Sequence, residues 1–499
     1  MHRCLYILLY VFGFLLIPLS LSWAQEPINV TADSLINRSN TGEPRTELVG
    51  HVRFQQGSLN GTADRAIQFP GRNYVEMHGN VVIHQDTLSL SAPTVTYDGN
   101  KRFARGEGKV IFTDRADKIT SEWASYDMNL AVAEFHTNVK ATKDSTILTC
   151  NDLTYIRGTQ TMIAKGNVLV QSDSGSLVCD TLIDARSIGE RTALGNVALS
   201  NDSLLLYCYS FYESKPTHTM IAAKNVEAYS LANKTIQFGD SLIRNTITGH
   251  SFVPLNPLLL IIDTSSRYDS LSGKVKTVAD TLLIRSKTME AFPDDSGAFI
   301  ATDSVFMLRA NFSASCGKLV YHKSTGVMNM FAAKRQHVWY DSTEINGDSI
   351  VMFQRNSKPE RIVAIGHAFA TTPFTDPTVA GRVSQLSSKT MTLSIIRDTV
   401  RSLVAVDNAL SIYFVSSDNK PNGLNRASGD SIRIDFERNT ARRISVLSGT
   451  EGEFWPEKYI GSRGAAFRLG NYERYYDQHP KRESFQLYWV PKVITTFAQ

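Results

Sequence analysis

Valine recurs at Val52, Val81, Val110, Val139, Val168, Val197 and Val226, each 29 residues from the next, and this period constrains the fold more than any other feature. Two positions further on stand Phe54, Ile83, Phe112, Ala141, Val170, Leu199 and Ala228. Residues i and i+2 share one face of a strand, so the two columns predict an apolar stripe running from repeat to repeat. Seven unbroken registers define a repeat architecture. Five of the valines follow Gly50-His51, Gly79-Asn80, Gly108-Lys109, Gly166-Asn167 and Gly195-Asn196, and glycine inside a strand lets it bend sharply. Turn-like clusters such as Pro70-Gly71-Arg72-Asn73, Asp98-Gly99-Asn100 and Arg157-Gly158 close the segments. Each repeat therefore reads as two strands in an all-β chain.

A second column reads Ala63, Ala92, Ser121, Cys150, Cys179 and Cys208, all small. It bears on two stacking schemes. One coil of a parallel β-helix per repeat would place successive cysteines about 4.8 Å apart, whereas an antiparallel strand pair would separate them by about 9.5 Å. The second distance is beyond disulfide reach. The cysteines read as small interior residues, and both schemes stay open on spacing alone. Tyr97, Tyr126 and Tyr155 form a further column at the same period.

The pattern divides the chain. Arg3, the apolar run Cys4 to Leu21 and Ser22-Trp23-Ala24 have the order of a secretory signal peptide over 1–24, cleaved after Ala24. Tight repeats fill 25–248. Pro254-Leu-Asn-Pro257 marks a junction over 249–272. In 273–453 related segments return 41 residues apart, as at Asp348, Lys389 and Asp430, which predicts the same unit with longer turns. In the tail, 454–499, eleven of 46 residues are aromatic, which suits a cap or docking segment.

Composition excludes some functions. Lys and Arg number 52 against 48 Asp and Glu, a net charge of +4 spread thinly, so no nucleic-acid partner is expected. Gly-Asp-Ser recurs at 239–241, 347–349 and 429–431, imitating an esterase nucleophile motif. Recurrence with the structural repeat marks it instead as the start of a strand. The eleven histidines lack metal-ligand spacing, and neither a cofactor nor a metal is expected. The stripe remains. It is either a closed core or a groove between two sheet faces that shelters an apolar chain.

The strand Val30-Thr-Ala-Asp-Ser-Leu35, the segment Leu59-x-Gly-Thr-Ala-Asp64 and the Gly-Asn-Val triplets at 79–81, 166–168 and 195–197 resemble the OstA-like family of periplasmic lipopolysaccharide-transport proteins. The resemblance runs from Ile28 to about Val226. It implies an elongated, V-shaped antiparallel β-jellyroll of 29-residue two-strand repeats, with the parallel β-helix as the alternative. It also implies a non-enzymatic bridge in the periplasm, at or near the outer membrane, that carries the acyl chains of lipid A. Its partners would be lipopolysaccharide and other transport proteins, or a second copy joined end to end by strand pairing. The lipid-binding residues would be Val52, Phe54, Val81, Ile83, Val110, Phe112, Val139, Val168, Val170, Val197, Leu199 and Val226. A surface adhesive β-solenoid and a periplasmic carbohydrate-active enzyme are the rival readings.

Overall fold

Two consecutive residues in the left-handed region break each valine strand in the middle: Gly79 and Asn80 have φ of 75° and 45°, Gly195 and Asn196 75° and 47°. The ladder shifts register there, between His78 and Val81 and between Leu194 and Val197, which is the signature of a β-bulge. Each strand therefore turns a corner and has two arms. The computed structural model describes residues 27–492 apart from 39–42, 270–273, 294–296, 332–334, 356–357, 375–378, 380, 418–419, 438–439, 471 and 473. The signal peptide read at 1–24 lies outside the described residues.

The corner explains why two sequence motifs travel together. Asn80 donates from Nδ2 to Asp64 (2.9 Å), Asn196 to Asp180 (3.0 Å) and Asn256 to Asp240 (2.7 Å). His51 meets Asp33 at 2.6 Å and His367 meets Asp348 at 2.8 Å. Each aspartate of one strand thus clamps the bulge of the next. The carboxylate also lies against the bulge glycine. A Cβ on Gly79 would stand 2.4 Å from Asp64 Oδ2, and one on Gly195 would stand 2.2 Å from Asp180 Oδ2. Glycine is required there both for its positive φ and for the missing methyl. Asp240 and Asp348 belong to two of the Gly-Asp-Ser motifs, whose aspartates are corner clamps.

Contacts divide the chain into unit 1, ending at Val139, and unit 2, beginning at Lys140. In unit 1 the strands Arg45–Gln56, Leu59–Phe69, Tyr74–Gln85, Leu88–Asp98, Phe103–Asp114 and Asp117–Asp127 each pair antiparallel with the next. Unit 2 continues the pattern from Thr146–Ile156 through Thr235–Asn245. This is the antiparallel jellyroll of two-strand repeats, and the ladder rules out the parallel β-helix. Cys179 lies opposite Val168 and Cys208 opposite Val197, so a valine strand separates the two cysteines. Cys150, Cys179, Cys208 and Cys316 are buried free thiols.

The 41-residue spacing has two origins, the longer connection expected, between Pro373 and Val383, and longer strands. The strands Lys358–Pro373, Val383–Ile396, Thr399–Ser417 and Lys420–Glu437 are 16, 14, 19 and 18 residues long, against 11 or 12 in the tight repeats. Elsewhere the extra residues lengthen strands, and the connection after Ile396 remains a two-residue turn. Longer strands extend the ladder by further backbone hydrogen bonds, which a longer loop would leave to water.

Candidate functional site

The corner aims the arms. In the strand Tyr74–Gln85 the buried side chains are Val75 and Met77 before the bulge and Val81 and Ile83 after it. These four positions differ by even numbers, so the alternation carries through the corner and both arms present apolar side chains to one interior. The predicted stripe occupies it. In unit 1 Val52, Phe54, Val81, Ile83, Val110, Phe112 and Val139 are all 3% exposed or less. In unit 2 Val168, Val197 and Val226 are as deeply buried, Val170 is buried, and Leu199 is half-buried. Ile111 faces the other way and is 40% exposed, which fixes the strand's register.

The interior of unit 1 is shut. Phe112 of one arm meets Tyr126 and Phe135 of the other, with ring centroids 6.1 and 5.2 Å apart. Phe54 approaches Tyr97 at 6.3 Å, and Tyr97 donates its hydroxyl to Gln56 Oε1. Burial pushes the Tyr97 phenol up to about 12. In unit 2 desolvation likewise raises Cys150, Cys208 and Cys316 to about 12 and Cys179 to about 11. The cysteine column is therefore a row of neutral, small, apolar groups. Among the described residues no group of three or more His, Cys, Asp or Glu could hold a metal ion. A surface pocket of about 380 Å³ in unit 2, lined by Ile243, Arg244, His250, Phe252 and Glu290 among others, lies away from the stripe.

The aromatic tail, read in the sequence as a cap or docking segment, lies on unit 2, at a place the sequence did not show. The described residues of 457–492 form a strap across the outer face of its strands. Phe238 stands opposite Glu227 while Gly239 stands opposite Val226, so Phe238 and Ile236 point away from the stripe. Phe485 packs with Ile236, Phe238 and Leu258, flanked by Leu487 and Trp489. Ile460 and Leu469 do the same over Phe369, Ile412, Phe414 and Leu424. Polar side chains of the repeats hold the strap's backbone. Arg285 donates to the carbonyls of Ser484 (2.7 Å) and Gln486 (2.8 Å). Gln385 brackets the strap at Phe467 O and Leu469 N. Buried Glu344 accepts from Tyr475 N at 3.1 Å, and buried Glu227 from Trp489 Nε1 (3.2 Å) and Lys492 N (3.0 Å).

Residues 28–180 match the family described as OstA-like protein. Over that stretch the chain is similar to OstA-like proteins. The matched segment begins beside the first corner clamp at Asp33 and ends at Asp180. A solved structure described as that of LptH, the LptA-homologous periplasmic component of the conserved lipopolysaccharide transport device from Pseudomonas aeruginosa, is 16% identical. The match covers 28% of this chain and 82% of that one, with a TM-score of 0.21. No curated protein matches. No helix among the described residues is long and apolar enough to cross a membrane, which leaves β-barrels unaddressed.

Proposed function

We propose that this protein is a periplasmic carrier in lipopolysaccharide transport, non-catalytic, which shelters the acyl chains of lipid A between the two arms of its strands on their way toward the outer membrane. The observation that carries the reading is the facing of apolar columns inside a bent two-armed sheet, in a chain that is similar to OstA-like proteins over residues 28–180. Carriage of this kind needs an apolar lining and no reacting group, and the columns Val52–Val139 in unit 1 and Val168–Val226 in unit 2 would each supply one. The side chains now fill their own interior, so a ligand must part the arms and take the place of contacts such as Phe112 with Phe135. Partners of the same transport system, or a second copy, would join by strand pairing at the ends of the ladder. The tight packing of the stripe favours one other reading, a structural β-solenoid with a plain core.

A photoreactive residue in place of Phe112 or of its outward neighbour Ile111, in living Gram-negative cells, separates the two. A lipopolysaccharide adduct at 112 and none at 111 supports the carrier. A folded protein with no adduct at either site refutes it.

A further inference from the structure

We propose that the apolar ligand passes into unit 1 sideways, through the mouth between the free ends of the two arms, and that the Tyr97–Gln56 hydrogen bond is the bar across that mouth. This inference rests on the carrier reading and adds the route. Gln56 is the last residue of Arg45–Gln56 and faces inward; Tyr97 is the last inward residue of Leu88–Asp98. They belong to opposite arms, at the ends farthest from the corner. At the corner the chain itself joins the arms, strand after strand, and the Asp64–Asn80 clamp holds neighbouring bulges together. At the mouth the arms meet through the Phe54–Tyr97 and Phe112–Tyr126 ring contacts, through the Tyr97–Gln56 bond, and through Ile28, whose N–H donates to Asn73 Oδ1 (3.3 Å) and whose carbonyl accepts from Gln68 Nε2 (3.0 Å). The mouth is therefore where the arms can separate without breaking a backbone ladder.

The chemistry of the bar suits a gate better than a seal. Gln56 and Tyr97 are both buried at the end of an otherwise apolar stripe, where leucine and phenylalanine would pack with no polar group to satisfy. The bond pairs the Tyr97 donor with the Gln56 Oε1 acceptor in the closed state, and water can take the place of each partner when the mouth opens, so opening strands neither atom. Burial keeps the Tyr97 hydroxyl protonated up to about pH 12, so it remains a donor under ordinary conditions. The reading also gives a role to the column Tyr97 and Tyr126, whose rings stand on the same arm 29 residues apart against Phe54 and Phe112.

The test uses the full mature chain and fluorescently labelled rough lipopolysaccharide in stopped flow. Tyr97→Phe keeps the ring and removes the donor, and is expected to raise the association rate three- to tenfold. Gln56→Cys with Tyr97→Cys, bridged by a reducible bifunctional thiosulfonate, is expected to slow association at least tenfold, with recovery on reduction. The native cysteines are buried and protonated and stay out of the reaction. A loss that reduction does not reverse is damage to the fold, and Tyr97→Phe then decides. If Tyr97→Phe and the bridged protein both bind at the wild-type rate, the side route is wrong and the carrier reading survives. If neither wild type nor the reduced double variant binds the lipid at all, the carrier reading itself falls and the gate with it.

Discussion

Gly195→Ala tests whether the corner is a clamp or merely a turn. Two costs follow from the structure. Alanine at a φ of 75° is disfavoured by about 1–2 kcal/mol relative to glycine. Its Cβ would also stand 2.2 Å from Asp180 Oδ2, so the carboxylate must swing away and give up Asn196. That bond is exposed and contributes about 0.5–1 kcal/mol. Gly195→Ala should therefore destabilise the corner by about 1.5–3 kcal/mol, and Asp180→Ala alone by about 0.5–1 kcal/mol. In the double variant the collision is gone and the clamp is lost once, not twice, which leaves about 1.5–3 kcal/mol. The double should thus fall short of the sum of the singles by about 0.5–1 kcal/mol. The assay is native-state hydrogen exchange of the amides in Gly175–Ala185 and Glu190–Ser200, where tenfold in protection is about 1.4 kcal/mol. Gly452→Ala is the control, because its Cβ would meet nothing nearer than 3.8 Å, and its effect should stay within about 0.5 kcal/mol. Additive single effects, or a silent alanine at 195, would refute the clamp.

Phe485→Ala removes a buried ring from the strap cluster and should destabilise the strap locally by about 3–5 kcal/mol, read as rapid proteolytic cutting near residues 480–492. Arg285→Ala, which loses both bonds to the strap's backbone, should act in the same place more weakly. Val110→Asp puts a carboxylate at a fully buried position and should abolish binding of labelled lipopolysaccharide, while Ile111→Asp on the exposed face should retain it; equal binding by both would count against the stripe. The buried thiols should resist iodoacetamide at pH 8.5 until the protein unfolds. They are raised to about 11 or 12 when folded, against 9.0 when free. The unfolded chain therefore loses these protons first, and the stability they contribute below pH 9 declines as pH rises from 9 toward 12. A melting temperature that holds constant across that range in the wild type, compared with a Cys→Ala control, would contradict this.

The period, the inward columns and the bend were legible because they are local: a strand alternates, and a glycine pair at fixed spacing breaks it. The corner clamp was legible too, in a form not read. Asp64 and Asn80, Asp180 and Asn196, and Asp240 and Asn256 are each 16 residues apart, one hairpin's separation. The closure of the interior depends on how far the arms spread, and a column of valines is compatible with either spacing. The strap was the hardest part. Glu227 and Trp489 are 262 residues apart, and no periodicity links them. A weaker signal was available: the outward column Gln55, His84, Thr113, Gln171 and Ser200 turns apolar at Tyr229, on the face the strap covers. The lengthened strands were misread because a longer repeat interval says nothing about whether strand or turn has grown.

Chain order gives the strap a consequence during biogenesis. The outward residues Ile236, Phe238 and Leu258 are made some 230 to 250 residues before Phe485, which covers them. A nascent or translocating chain therefore carries a finished hairpin ladder with a greasy back until its final segment arrives. Premature stops between codons 457 and 485 would leave the lining of each unit untouched and still yield a sticky, protease-prone product, so a quality-control system could sort strapped from strapless molecules by that face alone.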